Sequence, residues 1–257
     1  LFGRRAGVAA AAFNAFAPVC MALGRNIQTD GVYVFFMLCA LWLYLRAGDF
    51  QGRRRVKYMA AAGLVFGCKD TAFRDKKAGL WFLRRRDLRL FELRRDQLCS
   101  NGKVVRELPG GKLELFDIDS PTRVVVRYVL DVESGTVSSP TVAIDLREER
   151  GLPDGMVLVP GTDEVVIAMF DPEPATSGRA IQCSLRTGAW VREFVTPGAA
   201  QVTCPQWLPG HAGTELVLTT AAENLTPERL VQQPNAGCLF VAQAPFVTVL
   251  PAPIWIC

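Results

Sequence analysis

From Gly79 to residue 247 the sequence is a succession of short β-rich runs separated by turn residues. The turn signals include Pro109-Gly110-Gly111, Pro160-Gly161, Thr187-Gly188 and Pro209-Gly210. A spacing of about ten residues per strand and turn is typical of an all-β sandwich, barrel or propeller. We therefore predict sequential antiparallel hairpins without parallel βαβ crossovers. One short helix is expected at Thr226–Gln232, where Thr226 can cap and Pro227 suits the first helical position.

Charge divides the chain into two parts. Residues 1–95 contain 18 Lys and Arg against 6 Asp and Glu, whereas residues 96–257 contain 11 against 19, and no Glu precedes Glu92. This polarity predicts two segments of different origin or environment. With half of the residues apolar and a net charge of +4, the chain is not disordered. Scattered cysteines and one histidine, His211, argue against a zinc site.

The first segment is hydrophobic and basic. Ala6–Leu23 and Gly31–Leu45 lack charged residues, and a shorter apolar run covers Tyr58–Cys68. A bilayer-spanning helix needs about 20 apolar residues, so we predict helices at Ala6–Leu23 and Val32–Leu45 and a membrane location through residues 6–45. A signal peptide and a buried helical hairpin are the alternatives. If this segment does not belong to the natural chain, the location predicted is cytoplasmic.

The same segment resembles a family of membrane enzymes. The strings LFGRRAGVAAA, GRNIQTDGVYVFFMLCALWLYLRA and AAGLVFGCKDTAF resemble polytopic glycosyltransferases of the dolichyl-phosphate-mannose protein mannosyltransferase superfamily. This resemblance covers residues 1–73. Asp30 and Lys69 fall where that family often has such residues, but helix-end polar residues are the simpler interpretation.

Residues 79–247 resemble a second family, and here the match is longer. The strings CSNGKVVRELPGGKLELFDIDSPTRVVVRYVLDVESGTVSSPTVAIDL, GLPDGMVL and ELVLTTAAENLTPERLVQQPNAGCLFVAQ resemble the senescence-marker-protein/gluconolactonase (regucalcin-like) family. The resemblance implies a mainly β fold over residues 74–257, a partial propeller of about three blades of the six-bladed gluconolactonase type. The hydrophobic segment at residues 1–73 would precede it.

The resemblance also implies a metal site. In that family a Glu, an Asn and an Asp hold one divalent cation, and the matching positions here are Asn101 and Asp154. Oxygen ligands suit Ca²⁺, and Zn²⁺, Mn²⁺ or Mg²⁺ are alternatives. The family's Glu has no counterpart, because this sequence has no Glu before Glu92. We therefore expect weak cation binding, with the oxygens of Asn101 and Asp154 within about 5 Å of each other.

The function implied is metal-dependent hydrolysis of a sugar lactone, with Asp154 as ligand and base. The expected partner is a small lactone, and no nucleic acid is expected. An inactive membrane-anchored β module and a fragment of a mannosyltransferase-like enzyme remain alternatives. Without the resemblance, Asn-Gly and Pro-Asp-Gly would be read as ordinary turns. Asp117 and Asp119 could be strand-end carboxylates near the propeller axis, but the simpler interpretation is that they start the turn before Pro121.

Overall fold

The β-rich part of the chain folds into strands that pair with their neighbours in sequence. The computed structural model describes residues 63–70, 74–84, 86–108, 112–210 and 213–243. All of them belong to one unit that begins at Arg55. Every strand pairing in these ranges is antiparallel, which confirms the hairpin prediction. The helices predicted at Ala6–Leu23 and Val32–Leu45 lie outside the described residues, as does His211.

The first two sheets come from the first half of this part. Sheet A contains β1 (Gly63–Gly67), β2 (Ala78–Arg84) and β3 (Arg89–Gln97). Sheet B contains β4 (Ser100–Glu107), β5 (Leu113–Asp119), β6 (Val124–Asp131), β7 (Thr136–Val137) and β8 (Thr141–Asp145). Both β7 and β8 pair with β6. A single 3₁₀ turn at Ser120–Thr122 connects β5 to β6.

The next two sheets follow the same plan. Sheet C contains β9 (Leu152–Leu158), β10 (Glu164–Phe170), β11 (Ser177–Ser184) and β12 (Trp190–Pro197). Sheet D contains β13 (Val202–Gly210), β14 (Gly213–Thr220) and β15 (Leu239–Gln243). Helix α1 (Pro227–Gln232) lies between β14 and β15 in sequence, and Thr226 caps it as predicted. Within the described ranges, no helix has the length and apolar character that a bilayer crossing requires.

Successive sheets pack face to face, and β10 shows how. Val165, Ile167 and Met169 contact residues of sheet B, whereas Val166 and Ala168 contact residues of sheet D. Side chains of a strand alternate between its two faces, so a strand between two sheets must be apolar on both. This explains why EVVIAMF is a continuous apolar run rather than an alternating one. A third cluster joins sheets A and B in the same way.

The sheets therefore have the stacked arrangement of a propeller, but their number differs from the prediction. The described residues form four sheets rather than about three. The sequence pattern does not predict β1, β4 and β13 as strands, because Gly, Asn and Pro interrupt their apolar runs. The number of strands expected from the sequence, and with it the number of sheets, is therefore too low. Strand β1 also lies before the predicted boundary at residues 73 and 74. Gly63–Gly67 is thus a strand paired with β2 and not part of a helical segment.

Candidate active site

The first strands of sheets B, C and D each carry a one-residue bulge. In β4, Ser100 pairs with Asp119 and Lys103 with Asp117, so three steps on β4 match two on β5. Strand β9 has the same shift between Pro153 and Met156. A bulge leaves one residue outside the ladder and redirects its side chain. The bulges place Asn101-Gly102 in β4 and Asp154-Gly155 in β9 at corresponding points of neighbouring sheets. Strand β13 has a similar shift at Thr203.

The two glycines allow these strands to approach each other closely. A Cβ added to Gly102 would lie 2.6 Å from the carbonyl oxygen of Asp154 and 2.6 Å from the amide nitrogen of Met156. A Cβ added to Gly155 would lie 2.6 Å from the carbonyl oxygen of Thr203. Glycine at these positions lets β4 meet β9, and β9 meet β13, backbone to backbone. The bulged residues of the three strands are therefore close together.

Asn101 and Asp154 meet at this point. The side chain of Asn101 lies near the Asp154 carboxylate and favours its ionised form. The amide nitrogen of Asn101, Nδ2, donates a hydrogen bond to Ser120 Oγ at 3.2 Å. Burial raises the pKa of Asp154 to about 6, and the side chain of Asn101 opposes this rise. The structure thus brings together the two residues that the resemblance selected, 53 positions apart in sequence.

Two further charged residues act on Asp154. Lys69 lowers the pKa of Asp154 through its positive charge, and Glu223 raises it. Lys69 forms an antiparallel bridge with Cys99, which precedes Asn101 by two residues. Glu223 is held by buried Gln201, whose Oε1 accepts from the Glu223 amide at 2.7 Å and whose Nε2 donates to the Glu223 carbonyl at 2.9 Å. Asp154 therefore lies in the field of one cation and one anion.

A buried ion pair lies behind Asn101. Lys103 Nζ is 3.3 Å from Asp117 Oδ1 and donates a hydrogen bond to the main-chain carbonyl of Asn101. Gln97 Nε2 donates to Asp117 Oδ2 at 2.5 Å, and Ser100 Oγ donates to Oδ1 at 3.0 Å. Burial lowers the pKa of Lys103 and raises that of Asp117, because it disfavours both charged forms.

Asp117 and Asp119 thus differ from the interpretation of both as residues that start a turn. Asp117 is buried and its carboxylate is used in the ion pair. Asp119 precedes the 3₁₀ turn, but its side chain makes no capping bond there. Instead its Oδ1 accepts from the amide of Cys99 at 2.8 Å and of Leu98 at 3.2 Å. Both carboxylates therefore stabilise the entry to β4, where Asn101 lies.

The sequence analysis did not identify several residues of the site. Lys103, Thr203 and Glu223 were not selected, and Lys69 was considered only as a helix-end residue. In the sequence, the bulges of β4 and β9 are indicated only by Asn-Gly in one strand and Asp-Gly in the other. Because both dipeptides are also common in turns, they do not predict a bulge by themselves. In the described part of the chain, no group of three or more His, Cys, Asp or Glu could hold a metal ion.

The stability of the protein is expected to fall as the pH rises from about 4 to about 6 in the presence of a chelator. Asp154 has a pKa of about 6 when folded and 3.8 ordinarily, so in this range the folded chain keeps a proton that the unfolded chain has released. The retained proton of Asp154 adds about 3 kcal/mol to the free energy of unfolding when the pH is below the ordinary pKa of 3.8. This contribution is lost when the pH is above the folded-state pKa of about 6. Urea unfolding at both pH values measures it. In Asp154→Asn the decrease of the free energy of unfolding between pH 4 and pH 6 should be smaller by this amount. An equal decrease in the parent and the variant would contradict the assignment of this pKa to Asp154.

Comparison with known proteins identifies the family. The model of the SMP-30/gluconolactonase/LRE-like region matches residues 56–222. Because this match covers more than half of the sequence, the chain belongs to the SMP-30/gluconolactonase/LRE-like family. A second model, dolichyl-phosphate-mannose-protein mannosyltransferase, matches residues 1–74. Both resemblances inferred from the residues are thus found.

Individual relatives match only part of their length. YvrE of Bacillus subtilis, named as a candidate sugar lactone lactonase, is 33% identical over 129 residues, which are 50% of this chain and 41% of YvrE. Regucalcin of Danio rerio is 26% identical over 125 residues, 49% of this chain and 40% of that protein. The chain therefore spans about two fifths of the length of these relatives.

Solved structures show the same fold. A calcium-binding regucalcin from Agrobacterium tumefaciens has a TM-score of 0.57 at 20% identity, over 70% of this chain and 57% of that chain. A luciferin-regenerating enzyme has a TM-score of 0.55 at 18% identity, over 77% of this chain and 66% of that chain. At these identities the likeness shows the regucalcin-like fold of the four sheets, and the function has to be argued from the site.

Proposed function

We propose that this protein hydrolyses cyclic esters of the sugar-lactone class, with Asp154 as the base. The observation that carries the proposal is the contact between Asn101 and Asp154 at adjoining bulges of β4 and β9. Family membership and the likeness to a candidate sugar lactone lactonase support the same reaction class. The finer fold assignment, part of a six-bladed propeller preceded by a separate hydrophobic segment that ends before Gly63, belongs to this proposal.

The residues present fit a divalent cation, although not a strongly bound one. Asp154 is a buried carboxylate whose pKa is raised by loss of water, so a cation beside it would stabilise the charged form. A carboxylate and an amide oxygen are the hard ligands that Ca²⁺, Mg²⁺ or Mn²⁺ prefer, and Zn²⁺ also accepts oxygen. Two protein ligands leave the remaining positions to water, and the charge of Lys69 opposes a cation. We therefore propose Asn101 and Asp154 as ligands of a weakly bound ion.

Asn101 would need a different amide orientation to serve as a ligand. Its Nδ2 donates to Ser120, whereas a cation requires Oδ1. A rotation of the amide by 180° exchanges the two atoms. Ser120 is compatible with both orientations, because its hydroxyl can accept from Nδ2 or donate to Oδ1.

The reaction follows from the position of Asp154. A cation held by Asn101 and Asp154 would supply polarisation of the ester carbonyl. The ionised Asp154 accepts a proton from a water molecule while the water oxygen attacks the carbonyl carbon. The bond between that carbon and the ring oxygen then breaks, and the proton goes to the ring oxygen, which gives an open hydroxy acid. Asn101 would hold the cation beside Asp154 through Oδ1 after the amide rotation, and burial limits competition from bulk water.

Lactone hydrolysis by the full chain tests the proposal. We expect proton release from glucono-δ-lactone above the uncatalysed rate, stimulated by Ca²⁺, Mn²⁺, Zn²⁺ or Mg²⁺ and lost with a chelator. The rate should increase as the pH rises through the pKa of Asp154, which is about 6 without the cation and lower when the cation is bound. Uncatalysed rates under all cation conditions would overturn the proposal.

An inactive β module is the second candidate. It is favoured by the lack of a third acidic or thiol ligand among the described residues. The match of residues 1–74 to a mannosyltransferase model is compatible with a membrane-type segment before it. Membrane association through residues 6–45, and a cytoplasmic location as its alternative, stay predictions that carbonate extraction of the full chain can test.

A further inference from the structure

The ion pair of Lys103 and Asp117 lies between sheets A and B, directly behind the bulge of β4. Lys103 is 12% exposed and Asp117 1% exposed. Isolated charges are costly to bury, and here each charge has its partner. The carboxylate of Asp117 has further donors in Gln97 and Ser100.

Lys103 connects this pair to the site. Its ammonium donates to the main-chain carbonyl of Asn101, in the stretch between Ser100 and Lys103 where the ladder with β5 is interrupted. A carbonyl outside the ladder needs another donor when it is screened from water. Lys103 supplies that donor and so holds the residue whose side chain contacts Asp154.

The space for the ammonium depends on β1. A Cβ added to Gly67 would lie 2.6 Å from Lys103 Nζ. Three strands thus contribute to one arrangement, with Gly67 from β1, Lys103 from β4 and Asp117 from β5. Apolar packing does not explain the lysine and the aspartate at these positions, because a buried ion pair gains little stability over apolar residues of similar size.

We infer that Lys103 and Asp117 are positioning residues that hold Asn101 in the orientation required to contact Asp154 and the ligand. Neither residue touches the ligand, and both act through the main chain of the bulge. This inference deepens the proposed function and rests on it where ligand binding is concerned. The conformation of the bulge itself can be measured without any ligand.

The test compares two double variants of the full chain. Lys103→Met with Asp117→Asn removes both charges but keeps an acceptor for Gln97 and Ser100. The control, Arg106→Met with Glu114→Gln, removes a second buried pair that joins the same two strands. The remaining partners of this control pair, Arg127 and Asp163, are 43% and 59% exposed, so water can solvate them.

Amide hydrogen exchange of residues 99–104, measured relative to β10, is the first readout. We expect exchange about tenfold faster in the Lys103/Asp117 variant, as loss of one charge-assisted hydrogen bond implies, and no such change in the control. Affinity for Ca²⁺ or Mn²⁺, measured by calorimetry, should fall about tenfold as well. If the double variant fails to fold, Lys103→Gln with Asp117→Asn, which leaves no unpaired buried charge and keeps a neutral donor at position 103, should give a smaller change of the same sign.

The outcomes separate the inference from the proposed function. Unchanged exchange at residues 99–104, or an equal change in the control, would overturn the positioning role whatever the activity. A second outcome is faster exchange in the Lys103/Asp117 variant with a cation affinity equal to that of the parent. It would show that the bulge depends on Lys103 but that Asn101 is not a ligand. This result would overturn the inference for the site. A parent chain without cation binding or hydrolysis would refute the proposed function, while the exchange measurement would still decide the role of Lys103 in the bulge.

Discussion

Replacement of Asp154 by asparagine is expected to lower kcat/KM for lactone hydrolysis by about 10²–10⁴-fold, because the side chain loses its capacity to accept a proton. The substitution preserves the size of the side chain and keeps one oxygen that can accept a hydrogen bond. A steady-state assay with glucono-δ-lactone at pH 7 to 8 measures the effect, and calorimetry should show that cation binding is lost too.

The matched control is Asp145→Asn. Asp145 is exposed and pairs only with Arg147 among the described ion pairs, so its replacement should leave kcat/KM unchanged. Activity of Asp154→Asn within twofold of the parent would remove Asp154 from the mechanism.

Gly102→Ala is expected to destabilise the fold by about 1–3 kcal/mol, as overpacking in a tight interior does. The added Cβ would lie 2.6 Å from main-chain atoms of both Asp154 and Met156, and β4 and β9 would have to separate. Urea unfolding followed by circular dichroism measures the loss. Gly161→Ala is the control, since no atom lies within 4 Å of its added Cβ and only its positive φ of 77° opposes alanine. A Gly102→Ala protein as stable as the parent would show that the two strands do not approach as described.

The sequence predicts the middle strands of the sheets well and the first strand of each sheet poorly. EVVIAMF and RAIQCSL are apolar and β-branched enough to be recognised, and they form β10 and β11. The cap at Thr226 gives a clear helix signal, which α1 confirms. By contrast, Ser100-Asn101-Gly102 in β4 carries residues that are rare in strands. The strands that hold the site contain glycine for close approach and polar side chains for chemistry, and both weaken the strand signal.

The site itself could be predicted only in part for the same reason. Asn101 and Asp154 were selected through the family resemblance and not through local chemistry, where each is a turn signal. The ion pair of Lys103 and Asp117 depends on the register of β4 against β5, including a bulge that no periodicity indicates. Glu223 reaches the field of Asp154 because Gln201 holds its backbone, a contact that spacing in sequence does not suggest.

The order of the strands has a kinetic consequence. In all four sheets each described strand except β8 pairs with the strand next to it in sequence, and β8 skips only β7. Most of these hairpins can therefore close through a short loop, at a small cost in chain entropy, before any contact between sheets exists, although the connection from β14 to β15 is longer and contains α1. The contacts between Asn101 and Asp154 join different sheets, so they can form only after sheets B and C have docked. Assembly of the candidate active site is thus one of the last events of folding, while the secondary structure around it forms early.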